Sequence, residues 1–228
     1  MSNHPACRET VDVNNGDVRI QCSVYGSGSP IILLHGIPDW AGGWHHQIAA
    51  LGSEHQLIVP SLRGFAHSSQ PVEAERYTML ELVSDVAAII DHFDLSRTGI
   101  VGHDFGGAIA WWAAMMLGQH VRRLAVLSMP HPAPYVSAIS GDSRQQQASS
   151  YIQSFMQMAH DGALDSEQLS NWVSDPDLRI GLREALDGSS PVALANYYIA
   201  NIRQAGQIDF KRMPKIKAPT LMIRGQAD

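Results

Sequence analysis

Short apolar runs alternate with helical stripes over the first half of the chain. Apolar and polar residues alternate over 18–25, which predicts a half-buried strand, and 11–13 begin a partner strand that turns at 14–16. Buried strands are indicated by apolar runs without polar alternation, at 31–34, 57–59, 99–102 and 124–127. Such runs are typical of a parallel sheet that is covered on both faces.

Helical spacing appears between these runs. Residues 77–93 carry an apolar stripe, with Thr78 as the predicted N-cap and Glu81 three residues later. The stripe comprises Leu80, Val83, Val86, Ala87 and Ile90. A second helix, small and apolar, is predicted over 107–116. Strands that alternate with helices predict βαβ units, so the expected class is α/β with a mostly parallel sheet.

The alternation breaks after the fourth apolar run. From 133 to 212 there are only helical patterns, around 145–160, 166–173, 177–187 and 191–204, and a strand follows at 219–223. We therefore expect three segments: a core over 1–132, a helical lid over 133–212, and a resumed core over 213–228. Insertions of this size usually serve a binding site.

Charge and composition narrow the possible partners. With 16 Lys+Arg against 22 Asp+Glu, the net charge of −6 offers no basic footprint for nucleic acid. The N-terminus is polar and no apolar run approaches the ~18 residues of a membrane span. Cys7 and Cys22 are predicted to be free thiols of a cytoplasmic protein.

A glycine-rich turn joins the strand at 99–102 to the following helix. Residues 102–107 are Gly-His-Asp-Phe-Gly-Gly, with Asp104 at the centre and Gly102 and Gly106 two positions away on each side. A sharp strand-to-helix turn needs small residues there, and a central carboxylate can attack an electrophilic carbon. A phosphate-binding loop has different glycine spacing. A structural turn with Asp104 as an N-cap is the other alternative.

A second motif lies at the end of the first buried strand, where 35–38 are His-Gly-Ile-Pro. Together with the turn around Asp104, it resembles the α/β-hydrolases, and among them the epoxide hydrolases. Segments 25–28, 63–68 and 129–132 also match, and the resemblance extends over 18–228. It implies an α/β-hydrolase fold with an inserted helical lid, and an aspartate nucleophile at Asp104.

The resemblance also implies roles for other residues. The backbone N–H groups of Ile37 and Phe105 would form the oxyanion hole. His35, Gly36, Pro38, Gly102 and Gly106 would shape the two loops. Two lid tyrosines, Tyr151 and Tyr198, would donate to the epoxide oxygen.

Helical spacing supports the choice of these tyrosines independently. Tyr151 shares a face with Phe155 and Met158, and Tyr198 shares one with Leu194 and Ile202, while Tyr197 aligns with Asn201. Both donors would then lie on apolar faces directed at the sheet. Ordinary core tyrosines with satisfied hydroxyls are the alternative, and Tyr135 is a rival donor.

The catalytic acid and base complete what the resemblance implies. Asp228 matches the triad acid, and no residue of the chain matches the family's base histidine. We therefore expect the family's last strand, histidine loop and closing helix to be absent from these 228 residues. A chain without that base should form the Asp104 ester and stall. The last predicted strand, exposed at the sheet edge, should favour association or low stability.

The predicted function is hydrolysis of a small apolar epoxide by water to a vicinal diol, through an Asp104 ester. No cofactor is implied. A metal site at the adjacent His45 and His46 is not expected, because ligand spacing is absent. A dehalogenase with the same nucleophile is an alternative, although Phe105 and Ile37 are not its usual halide-binding residues. A non-catalytic protein that binds a small ligand is the alternative from another class.

Overall fold

A computed structural model describes residues 6–226, which form one sheet with helices on both faces. The strands are β1 Cys7–Asn15, β2 Val18–Tyr25, β3 Ser29–Leu34, β4 His55–Pro60, β5 Thr98–His103, β6 Val121–Leu127 and β7 Thr220–Ile223. The helices are α1 His45–Leu51, α2 Met79–His92, α3 Phe105–Met116, α4 Pro132–Gly141, α5 Ser143–Ala148, α6 Tyr151–His160, α7 Ser166–Ser170, α8 Pro176–Asp187 and α9 Pro191–Ala205. Short 3-10 turns lie at Ala41–Trp44 and Ala74–Tyr77.

The strand order is β1-β2-β4-β3-β5-β6-β7, and the sheet is parallel from β4 onward. The β1–β2 hairpin adds antiparallel to β4. Strand β3 is the middle strand and β5 lies beside it, with Leu33 of β3 paired with Val101 of β5. The α/β class and mostly parallel sheet predicted from the apolar runs are therefore confirmed. The interior position of β3 and β5 also places their carboxyl ends side by side, away from the outer strands.

Helix α2 confirms its predicted cap and corrects its predicted face. The Thr78 hydroxyl accepts from the Glu81 N–H. Leu80 of the predicted stripe, however, is 57% exposed. The buried apolar face instead comprises Met79, Leu82, Val83, Val86, Ile89 and Ile90. Asp85 belongs to that face because Arg63 neutralises it, which a pattern of apolar residues does not reveal.

All helices from α4 to α9 lie between β6 and β7 in the chain. Helix α4 was not predicted, and the pattern at 145–160 divides into α5 and α6. Strand β7 pairs with β6 at the edge of the sheet, and Leu221, Met222 and Ile223 are exposed. No helix among residues 6–226 is long and apolar enough to cross a membrane.

Candidate active site

Asp104 lies on the tight turn between β5 and α3. Its backbone has φ 50° and ψ −120°, a conformation rare for a residue with a side chain. A Cβ on Gly102 would be 2.2 Å from the Gly106 carbonyl oxygen, and one on Gly106 would be 2.3 Å from the Leu34 carbonyl oxygen. Both positions require glycine, so the turn has the close packing expected of a nucleophile elbow.

The loop after β3 faces this turn, and His35 holds it in place. The buried imidazole accepts from the Leu62 N–H at Nε2 (3.1 Å) and contacts the Gly36 carbonyl through Nδ1 (3.0 Å). Its Nδ1 therefore carries the hydrogen. Burial lowers the pKa of His35, which favours this neutral form. The geometry fits the loop-shaping role rather than a base. The next peptide bond, between Ile37 and Pro38, is cis.

The Asp104 carboxylate occupies the position between the two loops. Its Oδ1 accepts from the Ile37 N–H at 3.0 Å, and the backbone N–H of Phe105 also stabilises its charged form. A Cβ on Gly36 would lie 2.6 Å from the Asp104 Cβ, so the loops approach too closely for another residue there. Burial raises the pKa of Asp104, and the two N–H groups oppose this rise. The proposed oxyanion donors thus surround the proposed nucleophile.

Tyr151 and Tyr198 meet above this carboxylate. The two phenols lie close enough to influence each other's ionisation, and the charge of Asp104 acts on both. Tyr198 is buried against the rings of Phe105 (5.5 Å) and Phe155 (5.7 Å). Tyr151 is 55% exposed because it lines the open side of the cavity. Burial, then the charge of Asp104, raises the pKa of Tyr151 to about 12 and raises the pKa of Tyr198 well above its ordinary value. Both phenols therefore remain proton donors.

The orientation of α9 differs from that predicted. Ile202, expected on the buried face with Tyr198, is 54% exposed, whereas Tyr197 is completely buried. The reason is that α9 packs on two sides: Tyr197 and Asn201 contact the core, while Tyr198 contacts Phe155 of α6. A helix covered on two sides has no single apolar stripe.

A cavity of about 740 Å³ opens in front of Asp104. Its apolar lining includes Met129, Pro130, Ala138, Ala148, Trp172 and Met222. Tyr135 also lines it, so the rival donor lies in the same space as Tyr151. Motif matching assigned no role to His103 or Asp39, which line the floor with Nδ1 and Oδ2 3.2 Å apart. Their positions in the sequence are the signal that could have found them. His103 directly precedes Asp104, and Asp39 directly follows the His-Gly-Ile-Pro motif.

The remaining predictions concern the triad acid and the pair of adjacent histidines. Asp228, the predicted acid, lies outside the described residues. His45 and His46 contact each other, with Nε2 and Nδ1 3.1 Å apart. Within residues 6–226 no three His, Cys, Asp or Glu side chains are grouped to hold a metal ion.

The chain is similar in sequence to a known family and to named epoxide hydrolases. A family model described as "alpha/beta hydrolase fold" matches residues 29–228. The mouse protein named "Epoxide hydrolase 4" is 30% identical over 164 residues, which are 68% of this chain and 46% of the relative. The chain thus spans about half the length of that relative.

Solved structures of epoxide hydrolases are also similar to this chain. An epoxide hydrolase structure from metagenomes of hot environments has a TM-score of 0.81 at 28% identity, covering 95% of this chain and 81% of the other. A mutant epoxide hydrolase from Bacillus megaterium has a TM-score of 0.82 at 25% identity, covering 95% and 82%. The backbone similarity extends through both the sheet and the helices between β6 and β7.

Proposed function

Because the chain belongs to the alpha/beta hydrolase fold family, we propose that it hydrolyses an epoxide to a vicinal diol through an ester with Asp104. The observation that supports this most directly is the arrangement of Asp104, Tyr151 and Tyr198. Tyr151 lines the cavity on its lid side, Tyr198 lies close to it, and both phenols are within electrostatic range of the carboxylate on the sheet side. An epoxide between them would meet a nucleophile at carbon and proton donors at oxygen.

Ring opening follows from this arrangement. An Asp104 carboxylate oxygen forms a bond to one epoxide carbon while the carbon–oxygen bond on the far side breaks. The electron pair of that bond moves to the epoxide oxygen, which takes a proton from Tyr151 or Tyr198. The product is a hydroxyalkyl ester of Asp104. No electron donor or acceptor is required, because two bonds form as two break.

Ester hydrolysis uses the two loops that face each other at Asp104, the one after β3 and the turn after β5. Water adds to the ester carbonyl carbon. The N–H group of Ile37, which donates to the free carboxylate, and that of Phe105 stabilise the negative oxygen. Collapse releases the diol and regenerates Asp104. By resemblance, a histidine oriented by Asp228 activates the water. The proposed substrate is a small apolar epoxide, since methionine, proline, alanine and tryptophan side chains are prominent in the lining of the cavity.

The covalent step is tested by incubating the 228-residue chain with styrene oxide in H₂¹⁸O, followed by intact and peptide mass spectrometry. We expect Asp104 to carry one epoxide adduct if the ester is stable. If the ester turns over, we expect ¹⁸O in the Asp104 carboxyl and diol in solution. Replacing Tyr151 and Tyr198 together by phenylalanine should slow adduct formation about 100-fold or more, as general-acid catalysis provides.

Matched variants make the result specific. Asp104→Asn should give neither adduct nor ¹⁸O, whereas Asp39→Asn, on the same cavity floor, should keep the label on Asp104. A folded wild-type protein in which Asp104 carries neither adduct nor ¹⁸O would contradict the proposal. Chloride release from a chloroalkane, with Asp104 alkylated, would instead support the dehalogenase alternative.

A further inference from the structure

We propose that Tyr197 is a positioning residue, whose hydroxyl group sets the rotation of α9 and thereby the direction of the Tyr198 hydroxyl. This inference rests on the proposed function, in which Tyr198 protonates the epoxide oxygen. Neither the resemblance nor the predicted lid faces assigned Tyr197 a role. It is adjacent to Tyr198 in the chain, but its side chain points away from the cavity and into the core.

The Tyr197 hydroxyl donates a short hydrogen bond to the backbone carbonyl of Arg63. Its ring packs edge-on against Phe105, with centroids 5.0 Å apart and planes at 82°, and lies 5.2 Å from the ring of Tyr77. Tyr197 therefore connects the lid helix to Phe105, the elbow residue that directly follows Asp104. The Tyr197 side chain is completely buried. If its hydroxyl group were removed, water could therefore not take its place as the donor to the Arg63 carbonyl.

The accepting carbonyl belongs to a residue that is itself firmly held. The buried Arg63 guanidinium donates to Asp85 of α2 through Nε (2.9 Å) and Nη2 (2.6 Å). Its Nη1 donates to the Arg76 carbonyl at 2.6 Å. A two-pronged Arg–carboxylate pair restricts geometry more than a single bond. The Tyr197 hydroxyl is thus attached to a fixed point of the core.

Asn201, one turn further along α9, makes the second attachment on the same face. Its Nδ2 donates to the Tyr77 carbonyl (2.8 Å), and its Oδ1 accepts from the Met79 N–H (3.0 Å). Residues four apart share a helix face, and consecutive residues differ by about 100°. Once the Tyr197 and Asn201 face is attached to the core, Tyr198 must point toward Phe155 and Phe105, within reach of the charge of Asp104.

Tyr197→Phe tests this relation, with Tyr77→Phe as the matched control. Tyr77 is also completely buried and its hydroxyl donates one bond to a backbone carbonyl, that of Pro71 at 2.8 Å. Both variants lose a comparable bond, but only Tyr197 lies on α9, and Tyr77→Phe keeps both the backbone carbonyl that receives Asn201 and the ring that packs on Tyr197. We expect Tyr197→Phe to lower the rate constant of Asp104 alkylation by about tenfold or more, since 1 Å of misplacement costs up to ~100-fold. Tyr77→Phe should change it less than about twofold.

A double-mutant cycle separates positioning from general destabilisation. Adding Tyr197→Phe to Tyr198→Phe should produce almost no further loss in the saturated alkylation rate, because Tyr197 acts through Tyr198. Three results would overturn the inference. Tyr197→Phe could cause the same loss of rate in wild type and in Tyr198→Phe, it could leave the rate at the wild-type value, or Tyr77→Phe could cause as large a loss. If Tyr197→Phe does not fold, Asn201→Leu replaces it in the same cycle, with the same expected coupling.

The cycle also distinguishes this inference from the proposed function. Wild-type alkylation at Asp104 and a loss in Tyr198→Phe are measured first. Their absence contradicts the proposed function. Their presence, with additive effects of Tyr197→Phe, contradicts only the positioning role.

Discussion

At the residue scale, opposing influences act on the Asp104 carboxyl. Burial raises its pKa, while the N–H groups of Ile37 and Phe105 stabilise the charged form. Tyr151 and Tyr198 have pKa values raised by burial and by the charge of Asp104. The carboxylate is therefore the group whose ionisation limits the proposed attack, because the two phenols remain protonated across the neutral range.

We expect the rate of Asp104 alkylation to fall on acidification with a midpoint above 3.8, the ordinary aspartate value. Protonation removes the nucleophile, and a raised pKa moves this loss to higher pH. The folded state retains a proton that the unfolded chain releases, so folding stability is lost as pH rises from 3.8 through the raised pKa. Asp104→Asn should therefore unfold at a higher temperature than wild type at pH 7.

Alkylation rates from pH 3 to pH 8 and thermal scans of both proteins check these expectations. A midpoint at or below 3.8 would contradict the first. A lower unfolding temperature for Asp104→Asn at pH 7 would contradict the second.

At the scale of elements, glycine positions allow β3, β5 and α3 to meet at the elbow. Gly106 is packed directly beneath the end of β3, where a side chain would overlap the carbonyl oxygens of Leu34 and His35. The contacts are with backbone, which cannot move aside as a flexible side chain could. The turn, the strand end and the nucleophile therefore tolerate little change in volume.

Gly106→Ala should destabilise the protein by about 3 kcal/mol or more and displace Asp104, since an added methyl overpacks a rigid contact. Gly141→Ala is the matched control, because a Cβ at that exposed end of α4 meets no atom within 4 Å. It should leave stability unchanged or raise it by up to ~1 kcal/mol. Urea unfolding and Asp104 labelling measure both effects. Equal stability of the two variants would show that the elbow is not closely packed.

At the scale of the whole molecule, the Arg63–Asp85 pair joins the β1–β2 hairpin, helix α2 and the lid. Arg63 follows β4, Asp85 lies on α2, and the Arg63 carbonyl receives Tyr197 of the lid. Asn15 at the end of β1 also donates to Asp85 Oδ1, at 2.8 Å. A charge pair enclosed in this way couples the hairpin, the core helix and the lid.

Asp85→Asn should lower the free energy of unfolding by about 3 kcal/mol, because the buried guanidinium loses its two-pronged carboxylate partner and keeps only the half-exposed Glu81 at 3.1 Å. Asp142→Asn is the control: its pair with Arg144 is exposed, and asparagine caps a helix as well as aspartate does. It should cost less than ~1 kcal/mol. Denaturant titrations of both variants provide the measurement, and similar losses would contradict a coupling role for the buried pair.

The sheet and the elbow were the most predictable features, and the lid faces were the least. Strand positions followed from apolar runs, and Asp104 followed from the spacing of Gly102 and Gly106. The stripe on α2 was misplaced at Leu80, and that on α9 at Ile202. In each case a polar group on the true face has a partner distant in sequence, which a local pattern cannot contain.

The sequence by itself determined the α/β class, the strand-turn-helix around Asp104 and the loop that faces it. These depend on backbone hydrogen bonding and steric limits over a few residues, which local residue types set directly. Only the tertiary structure decided that Asp39 meets His103, that Tyr151 meets Tyr198, and that Tyr197 attaches to Arg63. The residues of each pair are between 47 and 134 positions apart, and their contact depends on how separate elements pack within the core, within the lid and between the two.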